Sequence, residues 1–492
     1  MRIFDCVLYN GEIKALLLRL HELQDSVDVF VIVESTKTFS GEPKTLRLRV
    51  QWAKVRSFAR KIRYVVSTDD VGHGCALDRE GFQRNSILRG LLDTVDSDLI
   101  CISAVDEIPN ANVIRQLRDA EPRLAGLTPY FSLNSTNTDR TETNLASCCA
   151  FSKRALLRHT PDQLYCGIRN GSIAADQFDN ATRRFLHRAD PTVFTNEIPI
   201  HSRPDVNGLT FSRLIDLPDD GSTPPVGAHT NWARGQASFH VHTTSTIIIC
   251  PYVFDEDREQ AIQAFGLDQP HGCHLPFFFW KDEMLIGPER AFEHCWKQFP
   301  DRDVIIVHTD MRPMPHDENN SWYTALCAQA EQLPDAGLIG CDLLYPLQSP
   351  SGHWYVQCAG GHFKNGQIGH FGGGVALADR TASEAAYKYD ERFAKVRRSQ
   401  WVTFGGVYIR RETIDMVGDF DSRYQWAYVM DVDYCLEAHI RGQGIYQVPV
   451  NLLHEESKTS KKFLVHPEYS NKTAGNLSKF VEKWAWYLDA DA

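Results

Sequence analysis

The sequence has no run of about 18 apolar residues, no basic tract and no Cys-x-x-Cys spacing. The first absence removes a membrane-spanning helix. The second, together with a formal net charge of -11 over 492 residues, removes the broad positive footprint of a nucleic-acid or anionic-lipid binder and leaves room only for a local basic groove. The third removes the commonest zinc frameworks. The 13 cysteines are odd in number and scattered. Most sit in apolar runs, as Cys101, Cys250 and Cys341 do, which reads as buried thiols rather than a disulfide scaffold. The adjacent Cys148 and Cys149 read the same way. The opening MRIFDCVLYNGE carries Asp5 and Glu12 and lacks the apolar core and small-residue cleavage site of a secretory leader. The expected compartment is therefore the cytosol, and Asn-x-Ser/Thr triplets such as that at Asn134 carry no glycosylation meaning.

What is present is an ordinary globular composition, 43% hydrophobic and 23% charged, long enough for two or three domains of roughly 100–200 residues. The first part alternates strands and helices. Ile3–Leu8 reads as a strand, and Asn10 as the N-cap of a helix with Ile13, Leu16, Leu17 and Leu20 on one face. Val29–Val33 and Tyr64–Val66 read as buried parallel strands, a helix is expected over Arg79–Leu92, and the strand Leu99–Ile102 ends in Asp106 and Glu107. Residues 204–240, rich in Pro, Gly, Asp and Ser, mark a boundary, giving expected domains of 1–235 and 236–492. The rhythm then restarts with a strand at Thr246–Cys250, a helix at Pro288–Gln298 and a strand at Val304–His308 that runs into HTDMRP. Further elements are expected at Leu338–Cys341, Val407–Arg410, Val432–Ile440 and Ile445–Val448. The fold class is α/β with mostly parallel sheets, in which ligands bind beyond the carboxyl ends of strands.

Single residues leave alternatives open. Asp310 past its strand suits a turn or a ligand equally well. Asp431 and Asp433 at a helix start complement the macrodipole or serve chemistry. Arg79, Gln83 and Arg84, at i, i+4 and i+5, form a solvated face or a diphosphate grip. Glu34, at the end of the second strand, is a substrate contact or a strand-end acid. Tyr9, Asn10 and Gly11 stand where the first strand would meet a nucleotide base.

Longer stretches carry a resemblance. AGLIGCDLLYPLQSPSGHWYVQCAGGHF, VTFGGVYIRRETIDMVGDFDSRY and DVDYCLEAHIRGQGIYQVP followed by LLHEES resemble glycosyltransferase family 2, in its rhamnosyltransferase-like branch, over about residues 245 to 460. The resemblance implies a GT-A-type domain. In it Asp310 and His454 hold Mn²⁺ or Mg²⁺ and Gly405 and Gly406 lie in the nucleotide-sugar loop. Asp431 is the general base, with Asp433 as its neighbour or an acceptor contact. Glu437 departs from the arginine expected there. FDCVLYNGEIKALLLRLHELQDSVDVFVIVESTKTFSGEPKTLRL, DREGFQRNSILRGL and ICISAVDEIP resemble glycosyltransferase family 17, which includes the bisecting N-acetylglucosaminyltransferase, over about residues 1 to 155. That implies a second GT-A-type domain. Asp106 is there a metal ligand, and Asn10, Gly11, Glu34, Arg79, Gln83, Arg84 and Glu107 are nucleotide-sugar contacts. The family's Asp-x-Asp-Glu-Ile-Pro is here Ala104-Val105-Asp106-Glu107-Ile108-Pro109. Three readings fit the missing acid: an active variant, a degenerate domain, or a substitution introduced to trap a complex.

The expected protein is thus a bifunctional, metal-assisted inverting glycosyltransferase with two GT-A-like domains in tandem and one divalent ion per active domain. Its donors are nucleoside diphosphate sugars, an N-acetylhexosamine for the first half and a hexose or deoxyhexose for the second. Its acceptor is a bacterial surface or lipid-linked glycan, with peripheral membrane association at the cytosolic face and no nucleic-acid partner. The alternative keeps catalysis in the second half and makes the first an acceptor-binding module. A nucleotidyltransferase would need a Gly-rich basic loop that LYNGEIKALL does not supply, and glycosylation of DNA bases conflicts with the acidic charge.

Overall fold

The structure, a computed structural model of the chain, describes residues 1–68, 75–109, 111–120, 124–127, 131–132, 148–157, 159–169, 246–268, 275–315, 317, 321–348, 354–364, 367–371, 393, 395–455, 462, 471 and 473–488. It divides into two compact units, Met1–His240 and Val241–Ala492. The expected boundary at 235/236 and the stretch 204–240 lie outside the described residues.

The first unit is built on strands β1 (Ile3–Tyr9), β2 (Val29–Ser35), β3 (Ile62–Ser67), β4 (Leu99–Ala104), β5 (Glu107–Ile108), β6 (Leu124–Leu127), β7 (Phe131–Ser132) and β8 (Cys148–Ser152). Six of them form a sheet in the order β3-β2-β1-β4-β8-β6. The first three neighbour pairs are parallel, whereas β8 runs antiparallel to both β4 and β6. Near-continuous apolar runs such as FVIV suit strands covered on both faces, and Phe4, Val31, Val65 and Ile100 are all fully buried. The helix Ile13–Leu23 begins after Glu12, so Asn10 is not its N-cap. Asn10 instead donates its backbone N–H to Glu12 Oε2 (2.8 Å) and accepts from Lys44. The helix expected over Arg79–Leu92 is an α-helix over Ala76–Asn85 that tightens to a 3₁₀ turn at Ser86–Gly90. A Cβ on Gly90 would lie 2.5 Å from Val31, so only glycine lets this turn settle on β2.

The second unit contains β9 (Thr246–Tyr252), β10 (Phe277–Lys281), β11 (Asp303–Ile306), β12 (Met311–Pro313), β13 (Ala336–Gln348), β14 (Trp354–Cys358), β15 (Gly361–Lys364), β16 (Gln367–His370), β17 (Arg397–Arg398), β18 (Val407–Ile409) and β19 (Gly444–His454). Its large sheet runs β10-β9-β11-β18-β13-β19-β12, with β14 on β13 and β17 on β19. β9 is parallel to β10 and β11, and β13 is parallel to β19. The element expected at Val407–Arg410 is the strand β18, antiparallel to both of its neighbours. The period of two then builds two cores from one strand. Ile247 and Ile249 join Phe292, Trp296, Phe404 and Tyr434 on one face, while Ile248 and Cys250 join Phe265, Trp322 and Leu326 on the other. The segment Val432–Ile440 resolves as a helix, Met430–Ile440. No described helix is long and apolar enough to cross a membrane. The described cysteines are free and mostly buried, as expected.

A buried ion pair fixes the end of β4 in the first unit. Arg19, fully buried, donates to both carboxylate oxygens of Asp5 (2.6 Å each), to Ser103 Oγ (2.6 Å) and to the carbonyls of Ala104 (3.0 Å) and Glu107 (3.1 Å). The pair therefore sets the path of the turn that carries Asp106. Replacing Arg19 by Ala leaves Asp5 charged in the interior, and chemical denaturation should show the first unit's transition destabilised by about 3–5 kcal/mol.

Candidate active site

In the second unit β11 ends at Ile306, and a turn closed by the Met311 N–H on His308 O (3.2 Å) leads into β12. β12 pairs antiparallel with the end of β19, setting Met311 opposite His454, and the Glu455 N–H donates to Asp310 O (3.0 Å). This pairing gathers His308, Asp310 and His454 so that one ligand atom from each lies within 4.8 Å of the others. His454 Nδ1 lies 2.7 Å from Gln357 Oε1, and Gln357 Nε2 donates to His454 O (3.3 Å). The amide is thereby oriented so that Nδ1 carries the proton. His454 Nε2 is left facing Asp310 Oδ1 at 3.3 Å, an approach of two electron pairs that a cation relieves. His308 stacks on Phe292. Burial and His454 hold it down to about 4, so its imidazole is neutral and able to ligate. Two imidazoles and one carboxylate fit Mn²⁺ better than Mg²⁺, which prefers an all-oxygen shell.

These three residues line a cavity of about 700 Å³ together with Asp431. Asp431 stands in the first turn of the helix Met430–Ile440, where the N–H of Val432 (2.9 Å) and that of Phe404 reach it. Burial raises it to about 6. Gly405 lines the cavity, but Gly406 serves packing: its φ is +70°, and a Cβ there would lie 3.0 Å from Leu452 and 3.2 Å from Cys341. The chain entering the helix is strained. Trp426, Tyr428 and Val429 have φ of 69°, 70° and 59°, each a left-handed conformation costing about 1–3 kcal/mol for a side chain of this size. All three line the cavity.

Asp433 requires a correction. It does not line the cavity, because it points to the other side of its helix and is consumed by Tyr424 Oη (2.8 Å), Trp484 Nε1 (2.7 Å) and Lys483 Nζ (2.8 Å). It anchors the helix Asn476–Leu488 instead of meeting an acceptor. Lys483 also pairs with Glu437 (2.8 Å) and Asp421 (3.0 Å). Glu437, standing where an arginine was expected, is thus taken up by both Lys483 and Arg441.

The first unit places its expected residues differently. Glu34 is fully buried and accepts from the N–H groups of Arg47 (2.7 Å) and Leu48 (3.1 Å) and from Tyr64 Oη (2.7 Å), capping the short helix Arg47–Val50. It is not set toward a substrate. Arg79 donates to Phe39 O (3.0 Å) and Gln83 to Lys37 O (3.4 Å). Arg84 pairs with Asp162 and Glu80 over the Tyr165 ring. Gly11, with φ +117°, lies under the Arg47 side chain. Asp106 sits in the turn after β4, and Glu107 Oε2 accepts from the Ala104 N–H (3.3 Å). Among the described residues, no group of three metal-ligating side chains gathers around Asp106.

Sequence reasoning missed His308 and Gln357. His308 was visible only as the first residue of HTD. Gln357 is 97 positions from His454, and nothing in the chain marks the pair. Gln357→Ala frees the His454 ring, and titration calorimetry should show Mn²⁺ affinity falling about 10–100-fold.

A family model described as Glycosyltransferase family 17 matches residues 1–128. No curated protein matches the chain. Among solved structures, the crystal structure of GalNAc-T7 with UDP, GalNAc and Mn²⁺ is 12% identical over 43% of this chain and 43% of that one, with a TM-score of 0.29. The crystal structure of A197 from STIV is 12% identical over 42% of this chain and 84% of that one, with a TM-score of 0.24. The chain thus spans less than half the length of the first of these. The glycosyltransferase family 17 match is carried by residues 1–128, about a quarter of the chain.

Proposed function

We propose that the second unit is an inverting, metal-assisted glycosyltransferase that uses a nucleoside diphosphate sugar. The observation that carries this is the single cavity shared by the His308–Asp310–His454 cluster and the buried Asp431. A bound divalent ion would supply charge neutralisation for the departing diphosphate. Asp431 takes the proton as the acceptor O–H bond breaks. The acceptor oxygen then bonds to the anomeric carbon, and the bond to the diphosphate breaks with its electrons leaving on the nucleotide. One base and no nucleophile make this a single displacement. His454, held by Gln357, and neutral His308 keep the ligand set in place.

For the whole chain the proposal is a tandem enzyme with domains 1–235 and 236–492. An N-acetylhexosamine donor serves the first half, a hexose or deoxyhexose donor the second, and a glycan is the acceptor. A specific observation favours the second reading, in which only the second unit catalyses. In the first unit Glu34, Arg79, Gln83 and Arg84 are bound by the chain itself, and Ala104 stands where an acid would complete the turn.

A panel of nucleotide sugars distinguishes these readings. Chelation should abolish transfer by the second unit, with Mn²⁺ restoring it better than Mg²⁺. Asp431→Asn should lower kcat by about 10²–10⁴-fold, and wild-type activity should fall on the acid side of about pH 6. Because burial raises this carboxyl, ionising it costs stability as pH rises from the ordinary carboxylate range to about 6. The asparagine variant should therefore melt no lower than wild type at pH 7. Full activity in Asp431→Asn would refute the assignment. Ala104→Asp gaining donor turnover in an Asp431→Asn background would favour two active sites; none would favour one.

A further inference from the structure

Glu289 has no role in the scheme above. It lies in the first turn of the helix Pro288–Lys297, is only 8% exposed, and lines the same cavity as Asp431. Its Oε2 has no hydrogen-bond partner among the described residues. Buried polar atoms are nearly always satisfied, so an orphan carboxyl oxygen on a cavity wall points to a ligand that completes it.

The fold delivers this group on purpose-built geometry. Gly287, with φ +99°, turns the chain into the helix, and a Cβ there would lie 2.7 Å from Trp426 O. That close approach packs the start of Glu289's helix against the strained segment leading into Asp431's helix. Two helix N-termini therefore present two carboxyl groups to one cavity, near enough for the charge of Asp431 to act on Glu289.

The charged groups that reach Glu289 are Asp431 from the helix Met430–Ile440 and Arg290 and Glu293 from its own helix. Arg290 is taken up by Glu293 Oε1 (2.5 Å) and the carbonyls of Phe420 (2.9 Å) and Asp421 (3.1 Å). Asp282, on the preceding loop, accepts from the N–H groups of Ile286 (3.0 Å) and Gly287 (3.3 Å), and His308 elsewhere on the lining is neutral. Burial and Asp431 thus push Glu289 up to about 8, while burial, offset by backbone N–H groups, raises Asp431 only to about 6. Two acids pushed apart in this way take separate roles: near neutral pH Asp431 is ionised and Glu289 keeps its proton.

We propose that Glu289 is an acceptor-binding residue, which as the neutral acid donates a hydrogen bond to an acceptor oxygen adjacent to the hydroxyl that Asp431 deprotonates. The acceptor class that fits is a sugar presenting two neighbouring oxygens. This rests on the assignment of Asp431 as the base, so one arm of the test uses no substrate. Infrared spectra of the full chain should show a protonated-carboxyl C=O band at pH 7 that is absent from Glu289→Gln and fades above about pH 8. In Asp431→Asn, which lacks the like charge, the band should fade at lower pH. A pH 7 spectrum unchanged by Glu289→Gln would overturn the proposal even if no donor were turned over.

The second arm uses p-nitrophenyl hexosides as acceptor probes with whichever nucleotide sugar the wild type accepts. Glu289→Ala should lower kcat/KM for the acceptor about tenfold, the loss of one net hydrogen bond to a buried group. Glu289→Gln, whose amide N–H can donate, should recover most of that loss and no longer decline on the alkaline side. Equal losses in the two variants, or none in either, would overturn the proposal. If Glu289→Ala does not fold, Glu289→Gln and the infrared reading decide alone. Absence of wild-type transfer with every donor, by contrast, counts against the proposed function and leaves the infrared result standing.

Discussion

The second unit's site depends on one antiparallel pairing, that of β12 with the last residues of β19. His308 and Asp310 lie in one turn, but His454 arrives from 144 positions further on, and only the Met311–His454 register sets it beside them. Shifting that register by a single residue would turn His454 to the opposite face of the strand. Gly406 is part of the same constraint, since it lets β18 begin where Leu452, Cys341 and Met311 already fill the space. Packing in the core and placement of the ligands are therefore one problem with one solution.

Burial then determines the chemistry available to those residues. In a low-dielectric cavity the imidazole of His308 loses its proton, Asp431 becomes a stronger base, and Glu289 holds its proton. On an exposed surface Glu289 would lose its proton well below neutral pH and Asp431 would be a weaker base. The strained Trp426–Val429 segment belongs to this arrangement too, because it carries the chain into the helix that delivers Asp431. Such strain persists only where the surrounding structure over-determines it, and here the Gly287 approach and the helix behind it do so.

The two units put a similar sheet to different use. In the first, the basic and acidic residues near the strand ends are spent internally: Glu34 caps a helix, Arg84 ties two helices together, and Arg19 holds the Ala104–Glu107 turn. In the second, the residues at the equivalent strand end face an open cavity. The family match falls on the first unit, whereas the gathered ligand cluster falls on the second.

Local chemistry made much of this legible. Apolar runs located β1, β2, β9 and β11, and the spacing of Ile13, Leu16, Leu17 and Leu20 located a helix, because one covered face leaves a period in the chain. Asp310, His454 and Asp431 were likewise singled out from the motif stretches around them. What the sequence could not show was direction and company. Val407–Ile409 reads the same whether parallel or antiparallel, since both orientations bury it. Asp431 and Asp433 look equivalent two positions apart, yet on a helix that spacing turns them to different sides, one to the cavity and one to Lys483. Gln357 and Glu289 carry no local signal, as each acquires its meaning only from a residue more than ninety positions away. The amino-acid sequence by itself determined which segments are strands and which acids end them. Only the tertiary structure decided which of those acids face the cavity and which are taken up by the chain itself, because satisfaction of a buried polar group is a property of its neighbours.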